Sequence, residues 1–421
     1  MLFRRLRERG AFMGVLNVIG LGYIGLPTAM MFAANGVEVV GTDYNKKLVD
    51  TLNSGKLTFE EEGLEELFNE AINKGIKFTS DYMKTDRYII TVPTPYLKDS
   101  KKIDPIFVVR AVETVLDFCE KGAIVVIEST ISPGTIDRYV KPLIKLKGFT
   151  LGEDIHIAHA PERILPGRMV YELVNNSRTI GADEKEIGEE IKGWYESFCR
   201  GEIVLTDIKT AELSKVVENT FRDINIAFAN ELTKMCHREG MDVYELIKIA
   251  NKHPRVNILQ PGPGVGGHCI SVDPWFLVGD YPDIVNVVLG AREVNDSMPH
   301  YVFDRIHEIM RENKIKDFSK VGLYGLTYKE NVDDIRESPT EQLLHIMHKY
   351  NMDDIRVYDS WIKYDVVNNQ YHDLESFLEG AELIVVLVGH DEIREKQELL
   401  RDKVVYDTKN IIKFGRKIYK L

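Results

Sequence analysis

The stretch "PGPGVGGHCISVDPWF" (residues 261–276) places Cys269 directly after Gly262, Gly264, Gly266 and Gly267. A thiol in a soluble protein is most often a small buried hydrophobe. That reading suits Cys119 and Cys236, which stand in helix-like sequence. It suits Cys269 badly. Glycine-rich backbone brings main-chain N–H groups close to a ligand, and such donors stabilise a thiolate or a developing oxyanion. Asp273, four residues on, faces the same way if the loop turns into a helix. Upstream, "AELSKVVENTFRD" sets Lys215, Asn219 and Arg222 at i, i+4 and i+7, on one helical face. A cation and an amide there stabilise an alkoxide or oxyanion, and a buried lysine also serves as a base. Taken alone, the same spacing equally describes a solvated helix face.

A third constellation names a cofactor. "GLGYIG" (20–25) closes an apolar, β-branched run and opens a helical one. Gly20 permits the tight turn, Gly22 lets the backbone approach a pyrophosphate, and Gly25 allows close helix packing, with Tyr23 and Ile24 between them. Asp43 ends the next strand-like run. A carboxylate there accepts from ribose hydroxyls and repels a 2′-phosphate, so the expected cofactor is NAD rather than NADP. Thr94 in "TVPTP" and Thr130 in "EST" fall at carboxyl ends of strand-like runs, where ligands of open α/β sheets bind, although each also fits a turn. NAD beside a nucleophilic thiol points to two successive oxidations. NAD takes an alcohol to an aldehyde, the thiolate adds to give a thiohemiacetal, a second hydride transfer leaves a thioester, and water releases an acid. Two other readings stay open. A two-electron hydroxyacid dehydrogenase shares the lysine and asparagine without needing Cys269. A non-catalytic NAD-binding protein has a merely structural cysteine loop.

The elements that position these residues alternate in type. "VLNVIGLG", "VEVVGTD", "RYIITVPTP", "AIVVIEST" and "DIHIAHAPE" are continuous apolar runs separated by helical pattern, the signature of a parallel sheet covered on both faces. From about 208 to 252 the pattern is helical, stopping at Gly240 before a second helix, "DVYELIKIAN". Long apolar helices between two α/β halves suit a dimer interface, or an ordinary linking helix with one buried face. After about 316 the alternation returns; "SPTEQLLHIMHKYN" (338–351) has Ser338 as N-cap and Pro339 at the first helical position. The expected fold is α/β: two Rossmann-like, doubly wound domains joined by a long-helix central domain. The boundaries are 13–206, 207–312 and 313–421, after a disordered basic extension over 1–12, with Met13 as a possible start.

The chain has 421 residues, 44% of them hydrophobic, and a net charge of −12 from 66 acids against 54 bases. With no basic stripe, nucleic acid is not an expected partner, and no run reaches the roughly 20 apolar residues of a membrane span. Cys119, Cys199, Cys236 and Cys269 form no CxxC pair, so no metal is expected. Without a secretory signal the thiols imply a reducing cytoplasm.

The motifs "GLGYIGLPTA", "TVPTP", "ESTISPGT", "APERILPG", "ELSKVVEN", "GPGVGGHCISVDPWF" and "GLTYKENVDDIRESP", in that order and over nearly the whole chain, resemble the UDP-glucose/GDP-mannose dehydrogenases. "FRDINIAFANEL" and "NKHPRVNILQPGPGVGGHCISVDPWF" are most similar to the branch acting on UDP-N-acetyl-D-mannosamine. The resemblance implies that Cys269 is the covalent nucleophile and that Lys215 and Asn219 are an oxyanion and base pair. It makes Asp273 an acid orienting water and the lysine, and Glu162 in "APER" an acid–base group around the thioester. It puts Arg336 near the cofactor, reached from the C-terminal domain, and Tyr328 and Lys329 against the nucleotide sugar. Arg163, Arg222, His253, Arg255 and Gly266 are further expected substrate contacts, Arg255 reaching into a neighbouring subunit of a homodimer or dimer of dimers. His268 would point away from Cys269 in a strand and offers no dyad. The chain departs from the UDP-glucose enzymes at Pro166, where they carry a second acid, and at Val272, where a lysine is common. Both departures favour an acetamido sugar over UDP-glucose; UDP-N-acetyl-D-mannosamine is the expected substrate, with UDP-GlcNAc, UDP-glucose and GDP-mannose as alternatives.

Overall fold

The computed structural model describes residues 14–267 and 269–421; the readings made of 1–12, Met13 and His268 lie outside the described residues. The chain divides at Val217/Glu218 into two compact units.

In the first unit the apolar runs become strands β1 (Leu16–Ile19), β2 (Val39–Thr42), β3 (Lys77–Thr79), β4 (Arg87–Ile90), β5 (Ala123–Ile127), β6 (Ile155–His159), β7 (Arg178–Ala182) and β8 (Ile203–Thr206). Their order is β3-β2-β1-β4-β5-β6-β7-β8. Strands β1 to β6 are parallel, with Leu16 opposite both Val39 and Arg87. β7 runs antiparallel to β6 and parallel to β8. β1, β2 and β5 are buried along their whole length, as a sheet covered on both faces requires. Helix α1 (Gly25–Ala34) ends at Asn35, and Gly36 turns the chain with φ +89°. The reversal of strand order lies between β1 and β4, so their carboxyl ends form the crevice where such sheets hold ligands. Leu16, Val18, Met30, Phe32, Ile89, Val126 and Trp194 build the core beside it.

The periodicity does not reveal β3, β7 and β8. β3 buries only its middle residue, and β8 buries none fully. Edge strands lose the continuous apolar run because part of each faces solvent. Cys119 is also not helical: it is the extended residue that ends the helix Ile106–Phe118, where the chain turns toward β5.

Helix α2 (Ile208–Glu239) is uninterrupted over 32 residues, and Gly240 ends it with φ +68°. In the second unit α3 (Val243–Ala250) starts at Asp242, whose carboxylate accepts from Tyr244 N and Glu245 N, the expected capping geometry. Helices α4 (Asp273–Asp280) and α5 (Asn286–Glu312) follow. A second sheet comprises β9 (Val321–Tyr324), β10 (Arg356–Tyr358), β11 (Gln370–Tyr371), β12 (Leu383–Val386), β13 (Val404–Asp407) and β14 (Lys417–Lys420). Its order, β11-β10-β9-β12-β13-β14, repeats the winding of the first sheet, and every pairing is parallel. Helix α6 (Pro339–Lys349) begins as expected, with Ser338 Oγ accepting from Thr340 N at 3.1 Å. Ile247, Met298, Ile306, Leu323, Leu343 and Val385 join its helices and sheet in one core.

Candidate active site

The β1–α1 turn is built around absent side chains. A Cβ on Gly25 would lie 1.9 Å from the Gly20 carbonyl oxygen and 2.2 Å from Thr91 Oγ1. Only glycine lets the first turn of α1 close onto the end of β1. Thr91, which the sequence reading passed over, donates to the Gly20 carbonyl at 2.7 Å and locks this turn from β4. Gly22 has nothing within 4 Å of its Cβ position, leaving the space that a pyrophosphate at a helix N-terminus needs. Asp43 follows β2; its Oδ2 accepts from Leu21 N at 2.8 Å and its Oδ1 from Asn45 N at 2.9 Å. The carboxylate is thereby held beside the glycine turn. Tyr23 packs on Phe59 with ring centroids 4.4 Å apart, and Ile24 precedes α1 as its N-cap. Thr94 is buried and Thr130 half-buried, beyond the ends of β4 and β5.

Beyond β6, Glu162 is buried and both its oxygens are engaged. Oε1 accepts from Arg163 N at 2.6 Å and Oε2 pairs with the Arg178 guanidinium. Arg178 also donates to Glu128 at 3.1 Å, and Glu128 accepts from Tyr195 Oη at 2.9 Å. Burial pushes the Glu128 carboxyl up to about 7, against the pull of Arg178. The Arg163 fork is held by Ser177 at 3.0 Å and Thr179 at 2.9 Å, at the start of β7. Lys215 is buried on α2, one turn after Glu212. The Glu212 carboxylate accepts from Gly134 N at 2.5 Å and Ile136 N at 3.0 Å, so α2 is tied to the loop that leaves Thr130. Burial raises this carboxyl too, to about 7.

In the second unit the Cys269 carbonyl accepts from Val272 N at 3.1 Å and Asp273 N at 2.8 Å, and α4 starts at Asp273. The loop does turn into a helix, and Cys269 stands one turn ahead of it. Asp273 is buried and accepts from the Asn219 amide at 2.6 Å. One amide hydrogen is used in that bond, and the group has a second to offer. Helix α2 holds the start of the loop as well. Asn225 accepts from Leu259 N at 2.8 Å, and Asn230 accepts from Gly262 N at 2.9 Å. Asn230 in turn donates to Asn295, and Asn295 to Asp223, both at 2.8 Å. The signal for the unexpected Asp223 and Asn230 was present: they lie four and eleven residues after Asn219, on the same face of α2.

The glycines of the loop pack against the 328–339 segment. A Cβ on Gly266 would meet the Glu337 carbonyl at 2.6 Å and Tyr328 Cβ at 2.8 Å. Gly267 N donates to the Arg336 carbonyl at 3.0 Å. The Arg336 guanidinium forms a two-pronged pair with Asp334 at 2.9 and 2.6 Å, and Tyr328 N donates to the Asp334 carbonyl at 3.0 Å. Lys329 is half-buried beside Tyr328. Two buried residues missed by the sequence reading hold this segment: Asp359 accepts from Leu326 N at 2.6 Å and from His390 Nε2 at 3.0 Å. Arg222 is half-exposed on α2, and His253 and Arg255 share an exposed turn in which Arg255 N donates to His253 Nδ1 at 3.3 Å. The structure thus brings Asn219, Asp273 and Cys269 together, and Gly266, Tyr328 and Arg336. His253 and Arg255 are exposed. Among the described residues no group of three ligating side chains suits a metal ion, and no helix is long and apolar enough to cross a membrane.

Models of one protein family match three consecutive stretches of the chain. The NAD binding domain of the UDP-glucose/GDP-mannose dehydrogenase family matches residues 15–199, its central domain 209–297 and its UDP binding domain 322–414. A UDP-N-acetyl-D-mannosamine dehydrogenase of Methanocaldococcus jannaschii is 44% identical, covering 96% of this chain and 95% of its own. An NDP-N-acetyl-D-galactosaminuronic acid dehydrogenase of Ralstonia nicotianae is 41% identical over 94% of this chain and 96% of its own. The solved UDP-N-acetyl-mannosamine dehydrogenase of Staphylococcus aureus superposes with a TM-score of 0.87 at 43% identity, over 96% of this chain and 98% of that one. With a glycine turn and a carboxylate at the first sheet's crevice, a cysteine turn at a helix start, and family domains matched along its length, the chain belongs to the NAD-dependent UDP-glucose/GDP-mannose dehydrogenase family.

Proposed function

We propose that this NAD-dependent oxidoreductase converts UDP-N-acetyl-D-mannosamine to UDP-N-acetyl-D-mannosaminuronate, reducing two NAD per sugar. The observation that carries the reading is the Cys269 turn: a thiol one turn ahead of α4, with Asp273 and Asn219 bonded at 2.6 Å next to it. NAD held at the Gly20–Gly25 turn and Asp43 would supply the hydride acceptor for both oxidations at C6, the first of which gives the aldehyde with release of the hydroxyl proton. The Cys269 thiolate then forms a bond to C6, and Lys215 and Asn219 stabilise the oxyanion of the thiohemiacetal. Loss of the remaining C6 hydride to the same kind of acceptor would leave a thioester on Cys269. Water adds, the C–S bond breaks, and the thiolate returns with an acid product. Asp273 holds the asparagine and orients the water; Glu162 serves as the acid–base group of the thioester steps. Gly20, Gly22, Tyr23, Ile24, Gly25, Asp43, Thr94, Thr130 and Arg336 surround the cofactor. Arg163, Arg222, His253, Arg255, Gly266, Tyr328 and Lys329 meet the UDP-sugar.

The choice of sugar rests on relatives named for UDP-N-acetyl-mannosamine at 43–44% identity and on Pro166 and Val272, which remove two charged groups of the UDP-glucose enzymes. A second copy of the chain is the expected partner: Phe221, Phe228 and Met235, at i, i+7 and i+14 of α2, expose apolar side chains along one stripe. The thiols and the soluble cosubstrate fit a cytoplasmic enzyme. The deciding experiment follows NADH by absorbance with UDP-N-acetyl-mannosamine, UDP-GlcNAc, UDP-glucose and GDP-mannose in turn. Two NADH per sugar, with the first substrate strongly preferred, is the expected outcome. One NADH with a carbonyl product would establish a two-electron enzyme instead.

A further inference from the structure

We propose that Arg178 and Glu128 are positioning residues for the reaction: the guanidinium orients the Glu162 carboxylate, and Glu128 draws part of that cation's charge away from it. The inference rests on the acid–base role given to Glu162 above. The geometry is a closed chain of buried groups in the first unit. Arg178, at the start of β7, reaches Glu162 beyond β6 with one nitrogen and Glu128 beyond β5 with another. Glu128, Glu162 and Arg178 are 1%, 6% and 3% exposed, so two acids share one cation away from water. Tyr195, on the helix Lys185–Tyr195, donates to Glu128, and its ring lies under the guanidinium at 4.3 Å. A carboxylate paired alone with a guanidinium is a poor base, because its ionised form is strongly stabilised. Sharing the guanidinium with a second acid restores basicity without loosening the orientation.

The groups facing the pair are few. Arg178, Glu162, Tyr195 and Cys199 act on it from β7, the 160–163 segment and the helix 185–195 with its following turn. Thr28 faces Glu128 from α1. His159, the last residue of β6, contacts the Ile127 carbonyl at 2.8 Å and is held neutral by burial, its ring pushed down to about 4. Burial keeps Glu128 protonated up to about 7; once ionised, it shares the Arg178 guanidinium with Glu162.

The test uses the full chain with Glu128→Gln, Arg178→Lys and Glu162→Gln, across a pH series. With Glu128→Gln, Arg178 binds Glu162 undivided. The expected result is a kcat lowered about three- to tenfold above neutrality, an acid limb moved to lower pH, and KM for NAD and the nucleotide sugar within about twofold of native. With Arg178→Lys the charge stays and the two-pronged orientation is lost, so kcat falls while the acid limb stays in place. Profiles of Glu128→Gln and the native enzyme that superimpose would overturn the proposal. Infrared titration of the Glu212→Gln chain, which lacks the other carboxyl held near 7, reads the pair without turnover: a protonated-carboxyl band that disappears on raising the pH through about 7, and at lower pH once Glu162→Gln removes the second acid, is expected, and its absence overturns the proposal even if Glu128→Gln does not fold. A native enzyme that releases no NADH from any nucleotide sugar would defeat the reading of function. Two NADH from the native enzyme with an unaltered Glu128→Gln profile would defeat this inference alone.

Discussion

Cys269 offers its sulfur from a turn whose carbonyl is already bonded to two amides of the following helix, so the position of the sulfur is set by backbone and survives a change of side chain. That makes Cys269→Ser a clean test. The serine variant is expected to bind NAD within about twofold of native and to lose acid formation by about a thousandfold or more, since an alkoxide is a poorer nucleophile and leaving group at neutral pH. Turnover close to native would remove Cys269 from the mechanism. Asp43 allows a similar argument. Its two oxygens accept from Leu21 and Asn45, so Asp43→Asn keeps an acceptor for the glycine turn while removing the charge that repels a 2′-phosphate. The preference in kcat/KM for NAD over NADP is expected to shrink by about 10- to 100-fold, or about 1.4–3 kcal/mol. A preference that does not move would mean that another group selects the cofactor.

At the scale of elements, the site depends on how closely helices and loops approach each other. In the first sheet the critical approach is α1 against β1. A methyl on Gly25 has 1.9 Å of room before the Gly20 carbonyl, a backbone atom that cannot swing aside. Gly25→Ala must push the start of α1 away from the pyrophosphate cradle. It is expected to weaken NAD binding at least about tenfold and to cost about 1–3 kcal/mol of stability, read by NADH fluorescence titration and thermal melting. This glycine, the position of Asp43 after β2 and the α2 face were legible because each is a local constraint: a spacing, a turn or a helix period. The three-residue β3, the antiparallel turn into β7 and the exposed β8 were not, because their residues answer to neighbours far along the chain. The Asn230–Asn295–Asp223 ladder falls in between. Its residues lie on one face of α2, yet only the packing of α5 and the loop at Gly262 says that they face inward.

At the scale of the whole chain, buried ionisable groups set how stability follows pH. Glu128 and Glu212 both titrate near 7 in the folded state against an ordinary value of 4.5, chiefly because burial disfavours their charge. The folded protein then keeps protons that the unfolded chain has already released, so these two groups make stability fall as pH rises from 4.5 through 7. His159 works the other way. Burial lowers it from 6.5 to about 4, so the folded state holds fewer protons over that window, and its contribution grows with pH until the unfolded value is passed. Below about 6.5 His159, joined by His237, which burial also lowers, offsets the acids; above it, of these groups, the acids set the slope. Folding stability is therefore expected to decline by about 1–2 kcal/mol between pH 6.5 and pH 8, seen as a thermal midpoint lower by a few degrees at the higher pH. Glu128→Gln, which carries no titrating proton, should remove about half of that slope, leaving the part due to Glu212. A midpoint that is flat or rising over this interval would mean that both carboxyls are already ionised in the folded protein at pH 6.5, stabilised by Arg178 on one side and by the Gly134 and Ile136 amides on the other.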